Sequence, residues 1–192
     1  MIKVKNIVKR FDEKVVLNNV SFDIGDVGVF AIVGRSGIGK TTMLRLIAGL
    51  DTPDAGSITA DNTKIAYKFQ EPRLLNWLTT LENVAVVLED KTTAKELALT
   101  WLEAVGLSDA TNLYPDQLSG GMQQRVALAR ALAFEGDVLL LDEPFSAVDE
   151  ATKQSLLLLV KQYAKNHAVV LVTHDPGEIE ALEATVISLP EA

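Results

Sequence analysis

The stretch Gly34-Arg35-Ser36-Gly37-Ile38-Gly39-Lys40-Thr41-Thr42 decides the fold of this chain. It fits the pattern G-x-x-x-x-G-K-[ST], in which a glycine-rich loop binds the phosphates of a nucleotide. An apolar segment at 29–33 precedes it and predicts a buried strand, and residues 42–50 predict a helix. Glycines let successive backbone N–H groups face one point, where the helix N-terminus adds partial positive charge. The alternative is a glycine-rich turn that binds nothing.

Two side chains of this stretch have defined roles in such loops. We expect the Lys40 ammonium to reach the β- and γ-phosphates and the Thr41 hydroxyl to bind Mg²⁺. The whole stretch from Gly34 to Thr42 is expected to contact the nucleotide. The loop therefore predicts a nucleotide-binding protein, but not yet which kind.

The composition favours one domain that does not bind nucleic acid. The chain has 192 residues, of which 48% are hydrophobic, enough for a single domain with a substantial core. Its formal net charge of −8 lacks the positive field expected of a protein that binds nucleic acid. The sequence contains no cysteine, which excludes disulfides, thiolate catalysis and cysteine-ligated zinc.

The absence of cysteine fits a cytosolic protein, and the hydropathy pattern predicts neither a signal peptide nor a membrane span. Charged residues interrupt each apolar run in the N-terminal stretch 1–6, unlike in a signal peptide. No stretch approaches the roughly 18–20 apolar residues needed to span a bilayer. If the protein works at a membrane, we expect it to do so through a partner.

Apolar periodicity predicts strands and helices along the chain. Strands are predicted at 2–8, 15–24, 29–33, twice within 57–69, and at 138–141, 168–172 and 185–189. Helices are predicted at 42–50, from Thr79 to about Leu88, at 94–105, from Ser119 to about Phe134, at 150–165 and from Pro176. The continuously apolar strands indicate a mainly parallel α/β core, which an all-helical insert at about 73–134 interrupts.

Local signals support several of these helices. Thr79 and Glu82 have the spacing of a capping box, and Asp175 followed by Pro176 is typical of a helix start. His167 fits no motif and is expected on the surface before a strand. One apolar stripe, which we expect to pack in the core, consists of Ala94, Leu97, Ala98, Trp101, Leu102 and Val105.

Two adjacent acids, Asp142 and Glu143, directly follow the predicted strand 138–141. They therefore lie at the carboxyl end of a strand, where open α/β sheets bind ligands. We expect Asp142 to hold Mg²⁺, often through water, and Glu143 to polarise a water for attack on the γ-phosphate. The alternative, a pair of solvated turn residues, is disfavoured by the phosphate loop earlier in the chain.

A second candidate anion site opens the helix that runs to about Phe134. Ser119, Gly120 and Gly121 start this helix, and its N-terminus favours negative charge as the phosphate loop does. A capped helix with a flexible entry is the alternative. The segment 118–125 resembles the signature motif of the ATP-binding cassette ATPases, a family distinct from kinases and GTPases with the same loop. The resemblance covers essentially the whole chain in order.

The resemblance implies roles for further residues. Phe11 stands where the family stacks an aromatic side chain on adenine, and Gln70 matches the glutamine of the loop that joins the core to the helical insert. Segment 146–149, which ends at Asp149, looks like the loop that crosses to the opposite subunit. His174 matches the switch histidine, which in this family contacts the γ-phosphate. By resemblance the catalytic group is Lys40, Gln70, Glu143 and His174, and the Mg²⁺ ligands are Thr41, Gln70 and Asp142.

The resemblance also implies a fold and a division of the chain. The fold is the P-loop NTPase (RecA-like) α/β fold, with a mainly parallel sheet, N-terminal antiparallel strands and an inserted α-helical subdomain. The chain is then a single domain, 1–192. Its nucleotide-binding core comprises 1–72 and 135–192, and its helical subdomain, 73–134, carries the signature motif.

The resemblance further implies an assembly around ATP and Mg²⁺. In this family two subunits face each other head to tail, and each ATP lies between the phosphate loop of one and the signature helix of the other. We therefore expect a homodimer, or a pair with a second ATPase subunit. ATP is expected to hold the two together, and hydrolysis to loosen them.

The segment from Gln70 to Thr79 is similar to that of importer ATPases of the nitrate, sulfonate and taurine group, although Asn76 departs from the usual proline. In such importers this loop and the helical insert receive a coupling helix from an integral membrane permease. The implied function is to power a solute importer from the inner face of the cell membrane, with a solute-binding protein as an indirect partner. The alternatives are a soluble ATPase not coupled to transport, an exporter ATPase and a non-catalytic nucleotide-binding subunit.

Overall fold

A computed structural model describes residues 1–60 and 63–190 of the chain. The strands are β1 (Ile2–Phe11), β2 (Lys14–Ile24), β3 (Gly28–Val33), β4 (Ala55–Thr59), β5 (Ile65–Lys68), β6 (Val138–Asp142), β7 (Ala168–Val172) and β8 (Thr185–Ser188). The α-helices are α1 (Lys40–Ile47), α2 (Thr80–Ala85), α3 (Ala94–Ala104), α4 (Gly120–Ala133), α5 (Glu150–Tyr163) and α6 (Pro176–Ala181). The predicted order of elements is confirmed, although most helices end a few residues before their apolar patterns do. Residues 61 and 62, within the predicted strand region 57–69, lie outside the described residues.

The central sheet is parallel, with the strand order β5-β6-β7-β3-β8. Strands β6 and β7 are buried along their whole length, as their continuously apolar sequences predict. The carboxyl ends of β3, β6 and β7 meet at one edge of the sheet, where Asp142 is paired with Val172. This edge therefore places the phosphate loop, the acid pair and the segment after β7 side by side.

The N-terminal strands form a separate antiparallel sheet with the order β2-β1-β4. Its inward side chains, among them Ile2, Val4 and Ile7, share one apolar cluster with α1 and with one face of the central sheet. Alternation of buried and exposed residues along β1 is what a half-buried strand requires. The sheet thereby fixes Phe11, at the end of β1, near the phosphate loop.

The opposite face of the central sheet is covered by helices. Side chains of α3, α4 and α5 form a second apolar cluster there with Leu139 and Leu141 of β6. Helices α2, α3 and α4 pack against one another, as a helical insert would. The division of the chain into core and helical subdomain stays a prediction.

The apolar stripe of α3 is only partly a core stripe. Ala98 and Leu102 are fully buried, and Trp101 packs edge-on against Tyr163, but Leu97 is 41% exposed. Helices α2 and α4 cover only part of this stripe. The prediction that Leu97 packs in the core was therefore wrong. The capping box of α2 and the Asp175 cap of α6 are confirmed. Among the residues that the structure describes, no helix is both long and apolar enough to cross a membrane.

Candidate nucleotide-binding site

The phosphate loop lies between β3 and α1 and depends on glycine conformations. Gly37 and Gly39 have φ values of +78° and +106°, which favour glycine. A Cβ atom on Gly39 would also lie 2.8 Å from Cγ1 of Val16 and 2.9 Å from Cδ2 of Leu17. Both the backbone conformation and the close approach of β2 therefore require glycine at this position.

The Lys40 side chain folds back across the loop. Its ammonium donates hydrogen bonds to the carbonyl oxygens of Gly34, at 2.8 Å, and Arg35, at 3.1 Å. The charge is thus held over the loop, where several N–H groups and the start of α1 already favour an anion. The role predicted for Lys40 stays a prediction.

Asp142 and Thr41 meet at the carboxyl edge of the central sheet. The Thr41 hydroxyl donates to Oδ1 of Asp142 at 3.3 Å. Burial raises the pKa of Asp142, the negative charge of Glu143 raises it further, and the hydrogen bond from Thr41 and the charge of Lys68 act in the opposite direction. Two oxygen atoms of the kind that Mg²⁺ prefers therefore lie together at the site.

Glu143 is held in an uncommon backbone conformation, with φ at +44°. Its N–H donates to the carbonyl of Val172 at 2.9 Å, and its carbonyl accepts from the Ser146 hydroxyl at 3.0 Å. The carboxylate is 25% exposed, and its Oε1 lies 3.4 Å from Nδ1 of His174, whose ring is 77% exposed. The two predicted catalytic side chains thus face each other where solvent can reach them.

Half of the predicted site residues line one cleft of about 410 Å³. Its lining consists of Phe11, Val16, Ser36, Gly37, Gly39, Lys40, Thr41, Thr42, Gln70, Glu143 and Val172. Phe11 is exposed at one wall, as a ring that stacks on a base would have to be. Arg35 and Ile38 line a recess that adjoins the cleft through Ser36 and Gly37. The cleft is polar, concave and built on the phosphate loop.

The signature residues and Asp149 do not line this cleft. Ser119 caps α4 by accepting from the N–H of Met122 at 3.3 Å, and Asp149 caps α5 by accepting from the N–H of Thr152 at 3.0 Å. The hydrogen bonds from Thr152 hold the pKa of Asp149 below its usual value. Within the chain Ser119 and Asp149 therefore act as helix caps, and neither lines the cleft that contains the phosphate loop.

The two glycines of the signature have different surroundings. A Cβ atom on Gly121 would lie 2.6 Å from the carbonyl oxygen of Ala147, so α4 begins in contact with the segment 146–149. A Cβ atom on Gly120 would meet nothing within 4 Å. Packing within the chain therefore explains Gly121 but leaves Gly120 facing open space.

Side chains of α4 that the sequence did not single out hold the loop around Gln70. The Gln124 amide donates to the Gln70 carbonyl at 2.9 Å. Arg130 donates to the carbonyls of Pro72, at 2.8 Å, and Arg73, at 3.0 Å. Nothing in the local sequence pattern indicates these bonds, because they join residues more than fifty positions apart.

Lys68 is the second feature that sequence analysis missed. It is 1% exposed, and its Nζ lies 3.4 Å from the carbonyl oxygens of both Asp142 and Glu143. The alternation in β5 places Lys68 on the same face as the buried Ala66. That alternation was a signal that could have identified a buried lysine.

The oxygen donors of the site fit a metal ion that is held jointly by the protein, substrate phosphates and water better than one held by protein side chains alone. Among residues 1–60 and 63–190, no group of three or more His, Cys, Asp or Glu side chains is placed to hold a metal ion. Mg²⁺ is commonly held by one or two carboxylates, with substrate phosphates and water as the other ligands. Thr41 and Asp142 satisfy that smaller requirement, and Gln70 lines the same cleft.

A separate apolar groove of about 280 Å³ lies between the central sheet and the helices. Its lining consists of Ala48, Leu50, Ile65, Ala66, Tyr67, Phe69, Val87, Arg130, Ala131 and Phe134. Arg130 belongs both to this groove and to the bonds that hold the loop after Gln70. The groove and the nucleotide cleft are therefore connected through that loop.

Comparison with known families gives one match over most of the chain. The family described as ABC transporter matches residues 17–146. This range begins in β2 and includes the phosphate loop, the signature residues and the acid pair.

Curated relatives and solved structures agree with that match. The chain is 41% identical over 193 residues to the aliphatic sulfonates import ATP-binding protein SsuB 1 of Agrobacterium fabrum, covering 97% of this chain and 70% of the relative. It is 42% identical over 199 residues to SsuB of Pseudomonas fluorescens, covering 98% and 73%. A dimeric ATP-binding cassette in a post-hydrolysis state, bound to ADP and Pi, superposes with a TM-score of 0.88 at 34% identity, covering 100% of this chain and 95% of the other.

Proposed function

The chain belongs to the ABC transporter family as an ATP-hydrolysing subunit that powers import, and we propose that the solute it serves is an aliphatic sulfonate or a close chemical relative. The sulfonate proposal rests on the similarity to the sulfonate import proteins described above. The observation that carries the ATPase function is the cleft, in which the phosphate loop, Gln70 and Glu143 meet. The relatives compared above give no support to a soluble or an exporter ATPase.

The proposed nucleotide binding follows from the lining of the cleft. Phe11 stacks on the adenine ring, and the N–H groups of the loop donate to the phosphates. The Lys40 ammonium, now bonded to the loop carbonyls, exchanges these partners for the β- and γ-phosphates. A charge-assisted bond to phosphate is stronger than one to a neutral carbonyl, so this exchange is favourable.

Thr41, Asp142 and Gln70 are the residues that would hold Mg²⁺, directly or through water. When bound, the ion neutralises charge on the phosphates and helps to orient them. Asp142 accepts a hydrogen bond from Thr41 in the chain itself, which keeps both oxygen atoms together at the carboxyl edge of the central sheet.

Glu143 and His174 carry the proposed hydrolysis step. The Glu143 carboxylate orients the attacking water and accepts its proton. It is accessible from the cleft, and hydrogen bonds to Val172 and from Ser146 hold the Glu143 backbone in place. His174, 3.4 Å from that carboxylate, donates to the γ-phosphate as negative charge develops. Hydrolysis breaks the bond between the γ-phosphorus and the β–γ bridging oxygen, giving ADP and phosphate.

A second copy of the ATPase, or a paired ATPase subunit, completes the site in this proposal. Ser119 and Gly120 are at the surface of α4, away from the cleft of their own chain, and Gly120 faces open space. A γ-phosphate carries more charge than one helix N-terminus neutralises, and a second helix start supplied by the partner would add N–H donors on its far side. ATP would thus hold two chains together.

The apolar groove is the proposed docking site for a helix of an integral membrane permease. It is lined by apolar side chains at a boundary between the sheet and the helices, as helix-in-groove recognition requires. Through the permease the chain would act at the inner face of the membrane, and a solute-binding protein would deliver the solute.

Substitution of an exposed residue in the groove tests the transport proposal. Leu50→Arg places a charge in the groove at an exposed position, and it is expected to abolish co-purification with an integral membrane protein from native membranes. The purified variant should hydrolyse ATP at the wild-type rate, because Leu50 does not line the nucleotide cleft.

Leu158→Arg is the matched control for this experiment. Leu158 is also an exposed leucine, but it lies on α5 and outside the groove. Recovery of the membrane partner should be unchanged in this variant. Equal recovery with Leu50→Arg and with wild type, or no membrane partner with any of the three proteins, would contradict the proposal.

A further inference from the structure

The segment that carries His174 is held on both sides by one charged cluster. Before His174, the Thr173 hydroxyl donates to Oε2 of Glu178 at 2.6 Å and accepts from the N–H of Asp175 at 3.1 Å. After His174, Oδ1 of Asp175 accepts from the N–H of Gly177 at 2.8 Å. The residues before and after His174 therefore belong to the same hydrogen-bonded unit.

Lys153 joins this unit to α5. Its ammonium contacts Oδ2 of Asp175 and lies 3.3 Å from Oε1 of Glu178. Lys153 and Glu178 are both mostly buried, so solvent screens their interaction less than that of a surface pair. The hydrogen bond from Lys153 also holds the pKa of the Asp175 carboxyl below its usual value.

The ring of His174 itself has no such support among the residues that the structure describes. It is exposed, and its one described polar contact is Glu143, at 3.4 Å. A side chain in this situation takes its position from its backbone, since a shift of the backbone moves the ring directly. The bonds at Thr173 and Asp175 therefore constrain the backbone from which the His174 ring projects.

We infer that Lys153 is a positioning residue for His174: through Asp175, Glu178 and Thr173 it fixes the backbone that presents the histidine ring to Glu143 and the γ-phosphate. The inference rests on the proposed role of His174 in hydrolysis. Lys153 neither lines the nucleotide cleft nor forms an ion pair or hydrogen bond with Glu143, so it acts only through the segment 173–178.

The chain offers a matched control on the same helix. Lys161 also lies on α5 and also forms an ion pair to the segment that follows α6, with Glu183 at 2.8 Å, and it donates to the Ala181 carbonyl at 3.2 Å. It differs from Lys153 in having no contact with the residues that flank His174. Both Lys153→Met and Lys161→Met therefore remove an ion pair between α5 and the segment after β7. Only Lys153→Met removes a contact with a residue that flanks His174.

Histidine-selective NMR of the nucleotide-free protein is the direct measurement, because the chain has only two histidines. His167 stacks on Tyr163 and contacts the Gly136 carbonyl at 3.1 Å, so it serves as the internal reference. In Lys153→Met the ring signals of His174 should shift or broaden by more than a linewidth, and those of His167 should not. Lys161→Met should leave both unchanged, and Lys153→Arg should restore the wild-type position of His174.

Hydrolysis rates provide the second readout. Lys153→Met is expected to lower kcat by about 10- to 100-fold with little change in KM, as for a misplaced catalytic group. In a His174→Ala background the same substitution should cause no further loss, because the two act through one group. If Lys153→Met does not fold, Thr173→Val should shift the His174 signal in its place, because it removes the hydroxyl that bonds to Glu178 and to the N–H of Asp175.

The outcomes separate this inference from the proposed function. An unchanged His174 signal in Lys153→Met, or in Thr173→Val if that variant has to stand in, overturns the positioning role whatever the ATPase rate. Additive losses with His174→Ala, or an equal loss in Lys161→Met, overturn it as well. A shifted His174 signal in a protein whose His174→Ala variant keeps full activity supports the positioning but contradicts the role of His174 in hydrolysis.

Discussion

Lys68 is a buried lysine whose ammonium lies next to the backbone of Asp142 and Glu143. Burial lowers its pKa to about 8, and the charges of Asp142 and Glu143 limit this lowering. An ammonium without a close carboxylate partner costs free energy in the folded state. The methylene chain of Lys68 can be replaced by the similar chain of methionine, which carries no charge.

Lys68→Met is therefore expected to stabilise the protein at pH 7. Between pH 8 and about 10.5 the unfolded wild-type chain binds a proton that the folded chain has lost, so the free energy of unfolding of wild type rises with pH relative to the variant. The stability advantage of the variant should shrink across this window by up to about 3 kcal/mol. Urea unfolding between pH 7 and pH 10 measures the difference.

Lys165→Met is the control, since Lys165 is exposed and its ammonium is solvated in both states. The prediction is contradicted if the free energies of unfolding of wild type and Lys68→Met differ by the same amount at every pH between 7 and 10. Burial would then not lower the pKa of Lys68 as described.

Residue positions were predictable where the chemistry is local in sequence. Lys40 and Thr41 follow from the spacing of one loop, and Asp142 and Glu143 from their place after an apolar strand. Lys68 and Lys153 were missed because their partners come from distant segments, and only packing brings them together. His167, expected on the surface, is half-buried because its ring stacks on Tyr163 of the preceding helix.

Helix α4 is the element that connects the parts of the site. Its N-terminus carries Ser119, Gly120 and Gly121, its middle holds the loop after Gln70, and its apolar face packs on the central sheet. The start of this helix and its cap were predictable from Ser119 and the two glycines. The structure was needed to show that Gly121 is closely packed and that Gly120 faces open space.

Replacing each glycine by alanine separates these two roles. Gly121→Ala puts a Cβ atom 2.6 Å from the Ala147 carbonyl, and should destabilise the protein by about 1–3 kcal/mol. Gly120→Ala meets open space and should leave the free energy of unfolding unchanged or raise it by up to ~1 kcal/mol. Its ATPase rate should nevertheless fall, because the added methyl group would occupy the surface presented to the partner's γ-phosphate.

Thermal unfolding and ATPase rates of the two variants, measured in parallel, check this prediction. Full ATPase activity in Gly120→Ala would mean that no γ-phosphate approaches this surface. Loss of stability in Gly120→Ala equal to that in Gly121→Ala would mean that the surface is buried within the chain itself.

At the scale of the whole molecule, the proposed function assigns the two halves of an ATP site to different surfaces of the chain. The phosphate loop and Glu143 share one cleft, and Ser119 and Gly120 lie outside it. The order of motifs predicted both halves, since each is a local pattern. Their separation within one chain follows from the packing of α4 and from the parallel sheet, which neither pattern contains.

Sedimentation of Glu143→Gln with ATP and Mg²⁺ tests most directly the claim that two chains complete each site. The variant should bind ATP but turn over slowly, because it lacks the carboxylate that accepts the proton, and so should accumulate the ATP-bound assembly. We predict a species of twice the 20.8 kDa chain mass with ATP, and the single-chain mass without it. Gly120→Asp in the same background should bind ATP and stay at the single-chain mass. A Glu143→Gln protein that is saturated with ATP yet sediments as one chain would contradict the shared site.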